Sequence, residues 1–156
     1  MTKDILLKIQ GMHFGEQIGE EKDREEEEPI EVITAGNYYN KNGKHYIKYE
    51  EIMEGEKENT SSLIKIQGDT LEVTKKGLNN VHMIFQKNKK NMSYYNTPFG
   101  NLLVGIEASQ VEVKEEKDCI RVDVDYSLEV NYEHLADCSI HIDVCSKDQK
   151  ETRLLV

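Results

Sequence analysis

Between Ile120 and Val130 the chain alternates without a break. Ile120, Val122, Val124, Tyr126, Leu128 and Val130 are separated by Arg121, Asp123, Asp125, Ser127 and Glu129. Successive side chains of a strand point to opposite faces, so this stretch folds as one long strand with one buried face. Its partner lies upstream. Asn101–Val113 carries Leu102, Val104, Ile106 and Ala108 on one face, and Glu115-Glu116-Lys117-Asp118 reverses the chain. Val111 and Val113 fall out of phase with Ala108, which predicts a bend between them. At ~3.4 Å per residue the return strand spans ~37 Å, about twice an ordinary strand. A strand of that length coils around a barrel or bends between two orthogonal halves.

The remaining segments repeat the pattern in shorter pieces. Asp4–Phe14 opens the chain with Ile5, Leu7 and Ile9 on one face and Met12 and Phe14 on the other phase, making Gly11 a candidate bulge. Ile30–Asn40 and Lys44–Ile52 flank Lys41-Asn42-Gly43, and Asn-Gly is a strong hairpin signal. Ser62–Gln67 and Thr70–Lys75 flank Gly68-Asp69, while Val81–Lys87 and Met92–Thr97 flank Asn88–Asn91. Thr97-Pro98-Phe99-Gly100 reads as a corner that closes the sheet, because proline cannot donate to a ladder. Cys138–Cys145 is the last strand, and Asn131–Asp137 reads as a short helical turn or loop. No segment holds a sustained 3.6-residue apolar period. The expectation is an all-β chain: an antiparallel up-and-down β-barrel of about 8–10 strands, favoured over a flat sandwich because a meander must close or leave two edges open.

A single domain over residues 1–156 suits this length, with 37% hydrophobic residues for a core. Inside it, residues 15–29 form an acidic connection, with Glu20–Glu28 reading as a solvated loop held open by its own charge. A docking segment for a basic partner is the sharper alternative. The net charge of −10 argues against nucleic acid, whose phosphates need a basic surface, and against anionic lipid. No apolar run approaches the ~20 residues of a membrane span, and the start carries no signal-like segment, so a cytoplasmic location is expected. Three cysteines, Cys119, Cys138 and Cys145, then fit reduced thiols better than a disulfide framework.

Four blocks carry a likeness. Thr34-Ala35-Gly36-Asn37-Tyr38-Tyr39, Tyr49-Glu50-Glu51, Phe99-Gly100-Asn101-Leu102 and Ile120–Tyr126 stand in an order and spacing that resembles the YwiB-like family of small bacterial proteins. The resemblance extends from about Ile5 to Val144. It implies a calycin-type, lipocalin-like β-barrel, and it brings no catalytic residues with it.

Chemistry is harder to find. His141-x-Asp143-x-Cys145 shares one strand face, but its ends lie ~13 Å apart, too far to meet on an ion at ~2.0–2.3 Å, so no metal is expected. Nucleophile elbows, phosphate loops and dinucleotide fingerprints are absent, and no cofactor is implied. Asp123 and Asp125 share the wet face of their strand, as any solvated strand allows. The eight tyrosines all lie in or beside strands. They read as cross-strand packing, or as a barrel mouth in which hydroxyls orient a partly apolar ligand. Adjacent pairs put one ring on each face, which leaves Tyr38, Tyr49, Tyr95 and Tyr126 as the candidate ligand-binding residues, Tyr126 being the clearest inward one. The expected function is a non-enzymatic barrel binding a small, partly apolar molecule. The alternative is an interaction module or homodimer acting through a sheet face or the acidic connection.

Overall fold

The computed structural model of the chain describes residues 1, 3–11, 31–51, 60–77, 80–97 and 100–147. Among them lie ten strands: β1 (Asp4–Gln10), β2 (Glu31–Lys41), β3 (Lys44–Glu51), β4 (Thr60–Gln67), β5 (Thr70–Lys76), β6 (Val81–Gln86), β7 (Lys90–Thr97), β8 (Gly100–Glu115), β9 (Cys119–Val130) and β10 (Glu133–Ser146). They form one antiparallel sheet in the order β6-β5-β4-β3-β2-β1-β10-β9-β8-β7. Every neighbour in that order is also a neighbour in sequence except β1 and β10, which join the ends of the chain. The two outermost strands, β6 and β7, are themselves consecutive and touch through a Gln86↔Lys89 bridge. The result is an up-and-down barrel, closed along β1 and β10 and nearly closed between β6 and β7.

The core follows the alternation. Ile5, Leu7 and Ile9 of β1, Ile140, Ile142 and Val144 of β10, and the even-numbered residues Ile120–Leu128 of β9 all point inward and are buried. They join Ile47, Ile64, Ile66, Leu71, Val73, Met83, Phe85, Val104 and Ile106 in a single apolar cluster. The outer faces of the same strands carry the charges. Arg121 donates to Asp143 at 2.9 Å, Ser139 donates to Asp125 at 2.8 Å, and His141 pairs with Asp123. No helix of the described residues is long and apolar enough to cross a membrane.

The long hairpin bends where its phase switches. The register between β8 and β9 shifts between Ala108 and Gln110, leaving Ser109 as the extra residue of a bulge. Before the bulge β8 pairs with β7 on its other side; after it, β8 runs on with β9 alone. The hairpin tip therefore crosses the lower end of the barrel, where the turns at Asn42-Gly43 and Gly68-Asp69 also lie. There the Glu115 carboxylate reaches His45 of β3, and the amide of Ser146 donates to the Asp118 carbonyl at 2.8 Å.

Two expectations change. The β1 ladders with β2 and β10 run without a register shift as far as Gln10, and Gly11 follows at φ 82; the continuation through Met12 and Phe14, on which a bulge at Gly11 depends, lies outside the described residues. An added Cβ there would sit 2.2 Å from the Ser139 carbonyl oxygen, so only glycine lets the chain leave β10 this closely. The segment read as a helical turn or loop is two turn residues, Asn131 and Tyr132, followed by the start of β10, whose pairing with β9 shifts between His134 and Ala136. Both turn residues have positive φ, 51° and 69°, the geometry of a tight hairpin turn. Cys119 and Cys145, expected as thiols, are opposite each other in register and form a disulfide, with Cα atoms 4.1 Å apart. Such bonds persist mainly in oxidising surroundings, so the cysteines no longer support a cytoplasmic expectation. Cys138 lies outside the disulfide and packs half-buried against the core. The acidic run Glu20–Glu28 and the Pro98-Phe99 corner lie outside the described residues.

Because β1 closes the sheet from the inside, its core residues should bear on the whole barrel. Leu7→Ala is expected to lower unfolding free energy by about 2–5 kcal/mol. Met92→Ala, on an exposed position of β7, should change it by less than ~0.5 kcal/mol. Urea denaturation of the two variants checks both.

Candidate functional site

At its upper end the barrel interior turns polar. The alternation that sends His45, Ile47 and Tyr49 of β3 inward also sends Glu51 inward, and the same phase on β5 carries Leu71 and Val73 on to Lys75. On β4 the inward series ends in Ser62 and Thr60. Register brings these positions together. Tyr49 is opposite Ser62, Ser62 is opposite Lys75, and Glu51 is opposite Thr60. Facing residues on paired strands have Cβ atoms ~5 Å apart, so the five side chains form one patch across three strands. Within it the Lys75 ammonium and the Glu51 carboxylate pair at 2.7 Å, both largely buried.

Tyr49 is 4% exposed and Ser62 3%; their hydroxyls and the Glu51 carboxylate interact, but neither hydroxyl makes a hydrogen bond of ordinary geometry. Burial pushes the Tyr49 phenol well above its ordinary range, and the negative charge of Glu51 adds to the shift. Deeper in the barrel Tyr126 lies edge-on to Phe85, ring centroids 5.0 Å apart, opposite Cys138. Burial, and then the adjacent Cys138 thiol, raise its phenol as well. Tyr95 of β7 is buried and shifted the same way by desolvation.

The outer side of the same wall is a groove of about 670 Å³. Ala35 and Asn37 of β2, Lys48 and Glu50 of β3, Ser61 and Leu63 of β4, and Thr74 and Lys76 of β5 line it, with Tyr49 and Ser62 at its floor. It exists because β2 parts from β3 above the Asn37↔Lys48 pair. Gly36 sits at the fork, where a Cβ would come 2.7 Å from the Lys48 carbonyl oxygen and 3.4 Å from the Tyr49 Cβ.

Tyr38 belongs elsewhere. At the lower end its hydroxyl meets His45 Nδ1 at 2.6 Å, while His45 Nε2 meets the Glu115 carboxylate. A carboxylate only accepts, so Nε2 carries the proton and Nδ1 accepts from Tyr38. Asn40 Nδ2 donates to the Tyr38 oxygen at 3.3 Å, which completes a one-way chain of donors. The arrangement has the order of an acid–base relay. Its members do not line the groove above, and its geometric effect is to fasten the hairpin tip to β3.

All four candidate tyrosines thus face inward, but they do not converge. Among the described residues, ring contacts join Tyr38 to His45 and Phe85 to Tyr126, not tyrosine to tyrosine. Their partners Glu51, Ser62, Thr60 and Lys75 do not stand out in the sequence. Extending the phase of β3 and β5 by one inward position would have found Glu51 and Lys75. His141 and Asp143 each hold a cross-strand partner, Cys145 is in the disulfide, and no group of three metal-binding side chains forms among the described residues.

The sequence pattern of DUF1934, a domain of unknown function, matches residues 16–142, and the chain belongs to that family. The fold is similar to the crystal structure of the ywiB protein from Bacillus subtilis, with 19% identity, 92% of each chain covered and a TM-score of 0.70. That likeness is one of fold. Among curated proteins no match is found.

The raised phenols make an alkaline prediction. Unfolding returns Tyr49 and Tyr126 to ~10, below their folded values, so above pH ~10 the unfolded chain releases protons that the folded chain keeps. Their contribution is therefore complete below pH 10 and is lost as pH climbs through the folded values. Stability should fall with pH in that window, and Tyr49→Phe with Tyr126→Phe should flatten the fall. Chemical denaturation at stepped alkaline pH, with phenolate absorbance followed in parallel, measures it.

Proposed function

We propose that this member of the DUF1934 family is a non-enzymatic barrel that binds a small, partly apolar molecule at its upper interior, against Tyr49, Ser62, Glu51 and Lys75. One observation carries the reading: the buried Tyr49 and Ser62 hydroxyls, on facing positions of neighbouring strands beside Glu51, interact with one another but make no hydrogen bond of ordinary geometry. A buried polar group left unpaired costs about 1–3 kcal/mol. Groups of this kind call for an explanation, and a bound molecule that completes their hydrogen bonds supplies one.

The surroundings support the chemical class. Val81 stands opposite Lys75, and Met83 and Phe85 continue the apolar wall below it. A ligand with an apolar body and one or two hydrogen-bonding groups would match such a half-and-half lining. The Glu51–Lys75 pair could accept a polar head by exchanging one partner.

Native mass spectrometry of gently purified protein tests the proposal. The wild type should carry a discrete added mass that disappears on denaturation, and Tyr49→Phe/Ser62→Ala should lose it. Because the two deleted hydroxyls make no hydrogen bond of ordinary geometry, the double variant should keep or gain stability while losing the ligand. A wild type that flies at its bare mass, with only water beside the two hydroxyls in a crystal structure, would overturn the proposal.

A further inference from the structure

We infer that β7 is a dimerisation strand, on which a second copy of this chain pairs edge to edge about a two-fold axis. The inference starts from the seam. β7 stands at one end of the sheet order, and its ladder runs to β8 alone. On the side toward β6 the backbone contact is the Gln86↔Lys89 bridge at the turn. Just above it Asn91 Nδ2 donates across to the Ile84 carbonyl at 3.3 Å, one side chain spanning what a ladder bond would otherwise close. From Met92 upward no strand lies along this edge among the described residues.

Open edges are normally guarded, most often by lysine or another charge placed on the strand. This one is not. Asn91-Met92-Ser93-Tyr94-Tyr95-Asn96-Thr97 carries no charge at all. The surrounding sequence is equally unusual. The chain has 30 acidic residues, yet none lies between Val73 and Ile106. Two copies of a protein with net charge −10 repel each other almost anywhere they touch, and this stretch is where they can meet without carboxylate facing carboxylate.

The same charges choose the occupant. A two-fold contact sets every residue against the partner's copy of the same strand, reversed. In antiparallel pairing the neutral segment Asn91–Thr97 would meet its own neutral segment. The lysines of the turn, Lys87, Lys89 and Lys90, would fall beyond the partner's Thr97, so no like charges are opposed. Lys90 is in any case engaged by Glu129 at 3.2 Å. An acidic peptide, the other natural ligand of a lysine-flanked edge, would find no cation along the strand beyond Lys90, which Glu129 already engages.

Side chains support the edge. Met92 is 41% exposed and Tyr94 69%, both on the outer face of β7. Near the upper end Tyr132 is 77% exposed, and its neighbour Asn131 is tied to Leu103, the register partner of Tyr94. Tyr132 holds a positive φ of 69°, a backbone conformation in which a bulky residue is strained. Large apolar surfaces kept in water, one of them on a strained backbone, mark places where something else packs.

Sedimentation velocity over a concentration series, with hydrogen exchange of peptides spanning 90–97, tests this. The wild type should sediment at twice the 18.0 kDa of the chain as concentration rises, with slowed exchange in β7. Met92→Lys/Tyr94→Lys changes exposed positions, so its melting temperature should stay near that of the wild type. It should nevertheless remain at 18.0 kDa with fast exchange in β7. A wild type that stays monomeric throughout, a dimer that the double variant leaves intact, or a monomer that takes up an extended peptide along β7 would each overturn the inference.

Discussion

The ladder between β1 and β10 holds the architecture together. Ile5 to Gln10 pair with Ser146 to His141, joining the two ends of the chain. Remove it and the ten strands become two meanders, β1–β6 and β7–β10, whose backbones meet only around the turn at Lys87-Asn88, with no long ladder between them. The ladder lasts because its inner face is fully buried: Leu7, Ile142 and Val144 have no exposed surface. Contacts this distant in sequence repay their loop-closure cost only once they are formed, so closure is a late and cooperative event.

The two ends of the barrel are built differently. Below, the bulge at Ser109 swings the hairpin tip across the opening, and Glu115, His45 and Tyr38 lock it there. Above, the inward series of β3, β4 and β5 run out of apolar residues and end in Glu51, Thr60, Ser62 and Lys75. A polar patch at one end and a fastened lid at the other make the upper end the place where a molecule could be held. The acid–base relay, despite its suggestive order, does mechanical service at the closed end.

Much of this was legible because alternation survives in long strands. Ile120–Val130 gave its inward face, its partner and the bend at Ala108 directly from phase. Asn42-Gly43 and Gly68-Asp69 announced their turns by residue type, and both turns carry the positive φ that glycine permits. Asn131-Tyr132 announced nothing, since a tyrosine occupies a position that such turns usually give to glycine. The start of β10 was lost with it. The disulfide was missed for a different reason: pairing depends on register, and no local pattern tells that Cys119 and Cys145 stand opposite each other. The polar patch escaped because charged residues at strand ends read as solvated until register shows which face they share.

A barrel zipped along β1 and β10 and unzipped between β6 and β7 has an uneven distribution of local stability. Native-state hydrogen exchange resolved to single amides measures that distribution most directly. The amides of Leu7 and Ile142 should exchange only through global unfolding. The alternate amides of β6 that face away from β5 should exchange at far lower cost, through local opening. If those β6 amides are protected as strongly as Leu7, the seam is closed, and a barrel left open between β6 and β7 is contradicted.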